Sequence, residues 1–221
     1  MAFTHKYVII ICVESFFIFE RRCVMARTEF IMEMIKNNNG VITAAEVTKA
    51  GISRGNLKYM MDTGLLERTG RGVYQLVGSG EDEMYNLQVR YKRGIFSGAT
   101  ALYLFDLTDR TPAKFQMTFP HNYNTSTVKS ENVKCNRVIM ELYEIGVVEV
   151  KTPKGNTVRA YNMERTLCDI LRKHNKTDIQ IITNSFKRYV RRKDKNISLL
   201  CEYGKKLKVE GKLQTYLEVL L

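Results

Sequence analysis

The chain has 221 residues, 44% of them apolar, and 35 Lys and Arg against 23 Asp and Glu leave a net charge of +12. This composition excludes collagen-like, mucin-like and disordered chains, and it predicts one or two globular domains that bury roughly 70% of the unfolded surface. The positive excess favours a polyanionic partner, nucleic acid or an anionic membrane, over a basic but inert surface. Five cysteines, at 12, 23, 135, 168 and 201, are odd in number and never form a C-x-x-C pair, so neither a disulfide framework nor a zinc site is expected, as suits a reducing cytoplasm. The three histidines, His5, His121 and His174, lie at no metal-ligand spacing, and no metal or cofactor is expected.

Tyr7 to Phe19 form a short apolar run. Glu14 interrupts it, Glu20-Arg21-Arg22 follow it and no small-x-small site appears, so neither a signal peptide nor a membrane span is expected. Met25 stands directly before an amphipathic segment, and residues 1–24 read as an upstream extension from a misplaced start.

The first patterned unit covers residues 25–80. Phe30/Met34 and Ile31/Ile35 are i,i+4 pairs that predict one helical face, closed by Asn37-Asn38-Asn39-Gly40. Val41-Ile42 predict a short extended step, and Thr43-Ala44-Ala45-Glu46 a capping box for a second helix to about Ala50. Gly51 supplies a turn, Ile52 an anchor, and Ser53 an N-cap for a third helix to about Asp62, which is helix-turn-helix spacing. Leu57, Met60 and Met61 are expected inward. Arg54, Asn56, Lys58 and Tyr59 are expected on the outer side near the N-terminal half, where a recognition helix meets the major groove. Arg pairs with guanine and Asn with adenine, whereas Lys and Tyr more often hold phosphate. Leu65 to Leu76 predict two strands around Gly70-Arg71-Gly72, a wing carrying Arg68 and Arg71. The competing reading is a three-helix bundle with a solvated face.

These residues carry a resemblance. Gly51-Ile52-Ser53-Arg54, Leu57-Lys58-Tyr59-Met60, Gly64-Leu65-Leu66-Glu67-Arg68 and Gly70-Arg71-Gly72-Val73-Tyr74 resemble the winged-helix domain of the AbiEi family, antitoxins of the AbiE type IV toxin-antitoxin systems. Phe96-Ser97-Gly98-Ala99-Thr100-Ala101-Leu102-Tyr103 before Leu107-Thr108-Asp109 resembles that family's S-A-L-x-x-x-x-L-T segment. Tyr161 to Asp169 resembles its E-R-T-x-x-D helix start, so the likeness extends over about residues 25–221. The resemblance implies a repressor of its own operon that opposes a companion nucleotidyltransferase toxin without forming a stable complex with it.

Gly78 to Glu83 read as a boundary. They share a Gly-Ser with nucleotidyltransferase sites, but no D-x-D metal pair follows. Residues 81–221 then predict a mixed α/β domain with frequent hairpins, so the class is α+β: an N-terminal winged helix-turn-helix, a mixed C-terminal domain and a basic helical tail from about 172. Expected elements are a helix over 81–92, a helix capped by Ser97 through Phe105, and a half-buried strand over 115–119. Strands over 138–143 and 147–151 follow, then a hairpin through Lys154-Gly155-Asn156 into 157–161 and a helix capped by Asn162. In that helix Leu167, Ile170 and Leu171 face inward while Glu164, Arg165 and Asp169 pair along its surface. Cys168 and His174 point to opposite sides, so Cys168 reads as a buried, inert thiol.

Residues 172–212 hold thirteen basic against four acidic side chains, a net of +9. Ile179, Ile182, Phe186, Tyr189 and Val190 predict one apolar face, and Lys187/Arg191 and Arg188/Arg192 are like-charged pairs that repel unless an anion lies across them. Phosphate contact, a solvated face, and a protein or RNA partner stay open for these four. Leu213, Tyr216, Leu217 and Leu220 predict a docked last helix. Three functions follow: a non-enzymatic DNA-binding antitoxin of a phage-defence operon, acting in the cytoplasm on double-stranded operator DNA; a one-component winged-helix regulator with a ligand-binding C-terminal domain; and a DNA-directed nuclease, for which Asp106, Asp109 and Asp169 are scattered rather than clustered.

Overall fold

A computed structural model describes residues 25–78, 80 and 82–220, with every side chain among them except that of His174. The expected extension, 1–24, lies outside the described residues. The chain divides into two compact units, one ending at Glu81 and one beginning at Asp82.

The first unit opens with helix α1 over 25–37. Ile31 and Ile35 are fully buried on its inner face, but Phe30, expected beside them, is 49% exposed. Asn39 and Gly40 both take positive φ, and Gly40 N–H returns to Ile35 O at 2.8 Å, which stops the helix. Strand β1 (Val41–Thr43) follows, then α2 (Ala44–Lys49), α3 (Gly55–Asp62), β2 (Leu66–Gly70) and β3 (Val73–Leu76). Thr43 closes the capping box in full: its hydroxyl accepts from Glu46 N–H at 3.2 Å, and the Glu46 carboxylate accepts from Thr43 N–H at 2.9 Å. The three strands form an antiparallel sheet in the order β1-β3-β2. Gly70 pairs with Val73, leaving Arg71-Gly72 as a two-residue turn in which Gly72 sits at φ +74°, a conformation L side chains rarely adopt. Gly72 O accepts from Ala44 N–H at 2.9 Å, fastening the turn to the start of α2. Ile31, Ile35, Ile42, Val47, Leu57, Met60 and Leu66 make this unit's core.

The second unit runs α4 (Glu83–Arg90), β4 (Ile95–Phe96), α5 (Gly98–Leu104), β5 (Gln116–Pro120), α6 (Ser126–Lys129), β6 (Lys134–Val138), α7 (Met140–Tyr143), β7 (Val147–Lys151), β8 (Thr157–Tyr161) and α8 (Met163–Leu171). After a 3-10 turn at Lys173–Asn175 come α9 (Ile179–Val190), α10 (Ile197–Lys206) and α11 (Glu210–Leu220). The five-stranded sheet is mixed, in the order β6-β5-β4-β8-β7, with β5/β6 and β4/β8 parallel and the other pairs antiparallel.

Four expectations are corrected here. The strand foreseen over 138–143 ends at Val138, and Met140–Tyr143 is a helical turn. The segment over 115–119 does not alternate: Met117, Thr118 and Phe119 are all buried, because β5 lies inside the sheet between β4 and β6. Ser97 occupies the N-cap of α5 but gives it no side-chain bond; its hydroxyl accepts from Thr118 at 2.9 Å, and Gln116 Oε1 instead accepts from Ala99 N–H at 2.8 Å. Finally, all nine residues of α8 are buried, so Glu164, Arg165 and Asp169 do not pair along an exposed face.

They form a buried network instead. Arg165 Nε donates to Asp169 at 2.9 Å and Nη1 donates to Leu142 O at 2.8 Å, with the guanidinium 4.6 Å from the Tyr161 ring centre. Glu164 accepts from the Tyr189 hydroxyl at 2.9 Å and from Asn196 N–H at 3.3 Å, tying α8 to α9 and to the start of α10. Burial, reinforced by Glu164, pushes the Tyr189 hydroxyl well above its ordinary pKa and keeps it a donor. Around α8 pack Ile182, Phe186, Leu200, Leu207 and Leu213, and Tyr216 of α11 stacks on Phe186 at 4.9 Å, so the last helix is docked as its apolar stripe predicts. Ile179, expected in the same face, is 62% exposed in the first turn of α9.

Candidate nucleic-acid interface

Helix α3 begins one residue later than its sequence suggests. Arg54 is the N-cap, and Ser53 reaches past it, its hydroxyl accepting from Gly55 N–H at 3.2 Å. The helix buries Leu57 and Met60 and leaves Ser53, Arg54, Lys58 and Tyr59 exposed, with Tyr59 at 48%. Asn56 is the exception among the expected contacts. It is 7% exposed, and its Nδ2 donates to Ser53 O at 3.0 Å. Asn56 lies one turn before Met60 on the buried stripe, so helical geometry turns it away from the presented side and it offers no amide to a base.

Arg54 has a partner that sequence reasoning missed. Its Nε donates to Thr48 Oγ1 at 3.0 Å, while the Thr48 hydroxyl donates to Ala44 O one turn earlier in α2. The guanidinium is therefore tethered across the turn between the two helices, which limits its rotamers while Arg54 stays exposed. On the wing, Arg68 and Arg71 are both exposed; Arg68 Nε donates to Gly70 O at 3.1 Å, which holds its stem along the strand.

The four cations Lys187, Arg188, Arg191 and Arg192, at the end of α9 and just after it, separate into two kinds. Arg188 pairs with Asp109 and donates to Asp106 O at 3.3 Å. Arg192 makes a two-pronged pair with Asp194, both bonds 2.8 Å, and donates to Phe105 O at 3.2 Å. The hydrogen bonds from Arg192 hold the Asp194 carboxyl below the usual carboxylate range. These two arginines thus have internal anions, which relieves the repulsion foreseen between them. Lys187 and Arg191 are exposed, and with Arg110 they line a cleft of about 370 Å³. No local signal joins Arg110 to them; the fold does.

No three-residue cluster of His, Cys, Asp and Glu able to hold a metal occurs among the described residues, and no described helix is long and apolar enough to cross a membrane. Cys168 is fully buried, and desolvation, with nearby Asp169 adding to it, pushes its thiol up to about 12. A thiol with a raised pKa carries almost no thiolate at pH 8. Iodoacetamide at that pH is therefore expected to leave Cys168 unmodified in the folded protein and to reach it after denaturation, with peptide mass mapping as the check.

An element order of helix, strand, helix, helix and a two-stranded hairpin, with α3 exposing Arg54, Lys58 and Tyr59 and the hairpin turn carrying Arg71, fits the order expected of a winged helix-turn-helix. Residues 29–77 match a family model described as "Transcriptional regulator, AbiEi antitoxin", which supports the AbiEi resemblance over those residues. Residues 78–221 lie outside that match. No curated protein matches the chain. Among solved structures, it is similar to the crystal structure of the RV2827C protein from Mycobacterium tuberculosis, with a TM-score of 0.55 and 15% identity over 80% of this chain and 70% of that one. At that identity the likeness is one of fold.

Proposed function

We propose that the chain is a DNA-binding antitoxin that represses its own operon and counteracts a companion nucleotidyltransferase toxin in type IV phage defence, in the cytoplasm and without catalysis or a stable toxin complex. The observation that carries the DNA-binding part is the exposed set at the start of α3, Ser53, Arg54, Lys58 and Tyr59, with Arg54 held by Thr48. Arg54 would read a base, Lys58 and Tyr59 would grip phosphate, and Arg68 and Arg71 would reach the flanking backbone. Lys187 and Arg191, with Arg110, would add sequence-independent phosphate contacts from the second unit; Arg188 and Arg192, already paired, would add little. The family description supports a regulator and antitoxin role, and toxin opposition follows from that family alone.

The test is fluorescence anisotropy with the protein's own promoter fragment. Arg54→Ala is expected to weaken operator binding by about 1–3 kcal/mol and to relax specificity locally, while Asn56→Ala leaves base preference unchanged. Lys187→Ala is expected to lower affinity evenly across sequences and to reduce the salt slope by about one. Unchanged operator affinity in Arg54→Ala would overturn the recognition-helix assignment.

A further inference from the structure

The second unit contains a cleft of about 250 Å³ that shares no lining residue with the one beside Lys187 and Arg191 and that nothing in the DNA-binding reading uses. Its charged lining is Lys134 and Arg137 of β6, Arg172 just after α8, and Asp169. Asp169 does not balance the three cations. One of its oxygens accepts from the buried Arg165 at 2.9 Å, and the other is 3.6 Å from Arg172. With the Asp169 charge already met from below by Arg165, the cleft keeps an excess of positive charge and open guanidinium donors.

The walls between these charges are polar and buried. Ser97 and Thr118, 2% and 3% exposed, line the cleft; Ser97 accepts from Thr118 and so is free to donate its own proton. Gln116, whose carbonyl oxygen is taken by Ala99 N–H, keeps its amide NH2 as a further donor. A concave site with convergent donors and excess cations suits a compact anion. Three terminal oxygens match three cations and the neutral donors, which favours a phosphate ester with a free dianionic end over a carboxylate.

We infer that this cleft is a binding site for a phosphomonoester, either a small phosphorylated metabolite or the 5′-phosphate end of a nucleic acid. Such a site would give the second unit a ligand to sense, independently of operator recognition.

Titration calorimetry on the full chain, at low salt in a phosphate-free buffer, tests it with inorganic phosphate, a nucleoside 5′-monophosphate and its nucleoside, and a short oligonucleotide with and without a 5′-phosphate. The monophosphate is expected to bind at least about tenfold more tightly than the nucleoside. Lys134→Ala and Arg137→Ala are each expected to weaken it by about tenfold or more, and Lys154→Ala, in the exposed turn between β7 and β8, to leave it unchanged. Both substituted side chains are exposed, so the variants should fold. A 5′-phosphorylated oligonucleotide that outbinds the mononucleotide and its unphosphorylated twin would identify a nucleic-acid end; the reverse order would identify a metabolite. Equal binding of nucleoside and monophosphate, no phosphate compound binding at millimolar concentration, or insensitivity to both Lys134→Ala and Arg137→Ala would overturn the site. No arm reads operator affinity, so failure here leaves the proposed DNA binding untouched.

Discussion

Asp169→Ala is expected to destabilise the second unit by about 3–5 kcal/mol, the usual cost of removing one partner from a buried ion pair. Arg165 is fully buried and stays so in the variant, because Leu142 O, Ile145 O and the Tyr161 ring still hold its guanidinium. Its Nη2 has no partner even in the intact protein, so Asp169 is the sole described carboxylate bonded to this cation. Losing it leaves a buried full charge with only two carbonyl oxygens and a ring as partners, where desolvation is not fully offset. Replacing both partners with apolar residues, Arg165→Met with Asp169→Leu, is expected to recover much of the loss, since no charge is then buried. Urea denaturation of the two variants decides this. A loss below about 1 kcal/mol in Asp169→Ala would mean that water reaches Arg165 and the pair is weak.

The same network marks where sequence reading succeeds and where it stops. Signals whose two halves lie within a few residues were legible: the Thr43/Glu46 capping box, the stop at Asn39-Gly40, the Asn162 cap on Arg165 N–H, and the Gly155 hairpin between β7 and β8. Each depends on backbone geometry that the local residues alone determine. Glu164, Arg165 and Asp169 read as a surface ladder because charge at helical spacing usually faces water; burial is imposed by distant elements, α9 and the start of α10 over Glu164, and Leu142, Ile145 and Tyr161 around Arg165. Arg188 looked free for phosphate because its anion, Asp109, lies far upstream, and Ser97 lost its capping role to Gln116 on β5. On α3, the exposure of Arg54, Lys58 and Tyr59 was legible from helical phase. Asn56 was misassigned by its amide chemistry, although its one-turn spacing to Met60 already placed it on the buried stripe.

Leu57→Ala is expected to abolish operator binding without altering any group that would touch DNA. Leu57 is 1% exposed on the inner side of α3, within the small core of the first unit. Truncating it should cost about 2–5 kcal/mol, from lost transfer energy plus the cavity left behind. A unit of this size has a total stability on the order of 3–8 kcal/mol, so the loss takes most of the margin. Hydrogen exchange resolved by peptide separates this effect from local damage: amides of α1, α3 and β3 should lose protection while those of β5 and α8 keep it. Arg54→Ala makes the opposite pattern, since an exposed side chain contributes within about 0.5 kcal/mol to stability. It should weaken operator binding with exchange unchanged. If Leu57→Ala lowered protection in both units together, the two would share one folding transition. If it left protection intact yet removed binding, Leu57 would have to act on the DNA-facing side of α3, against its burial.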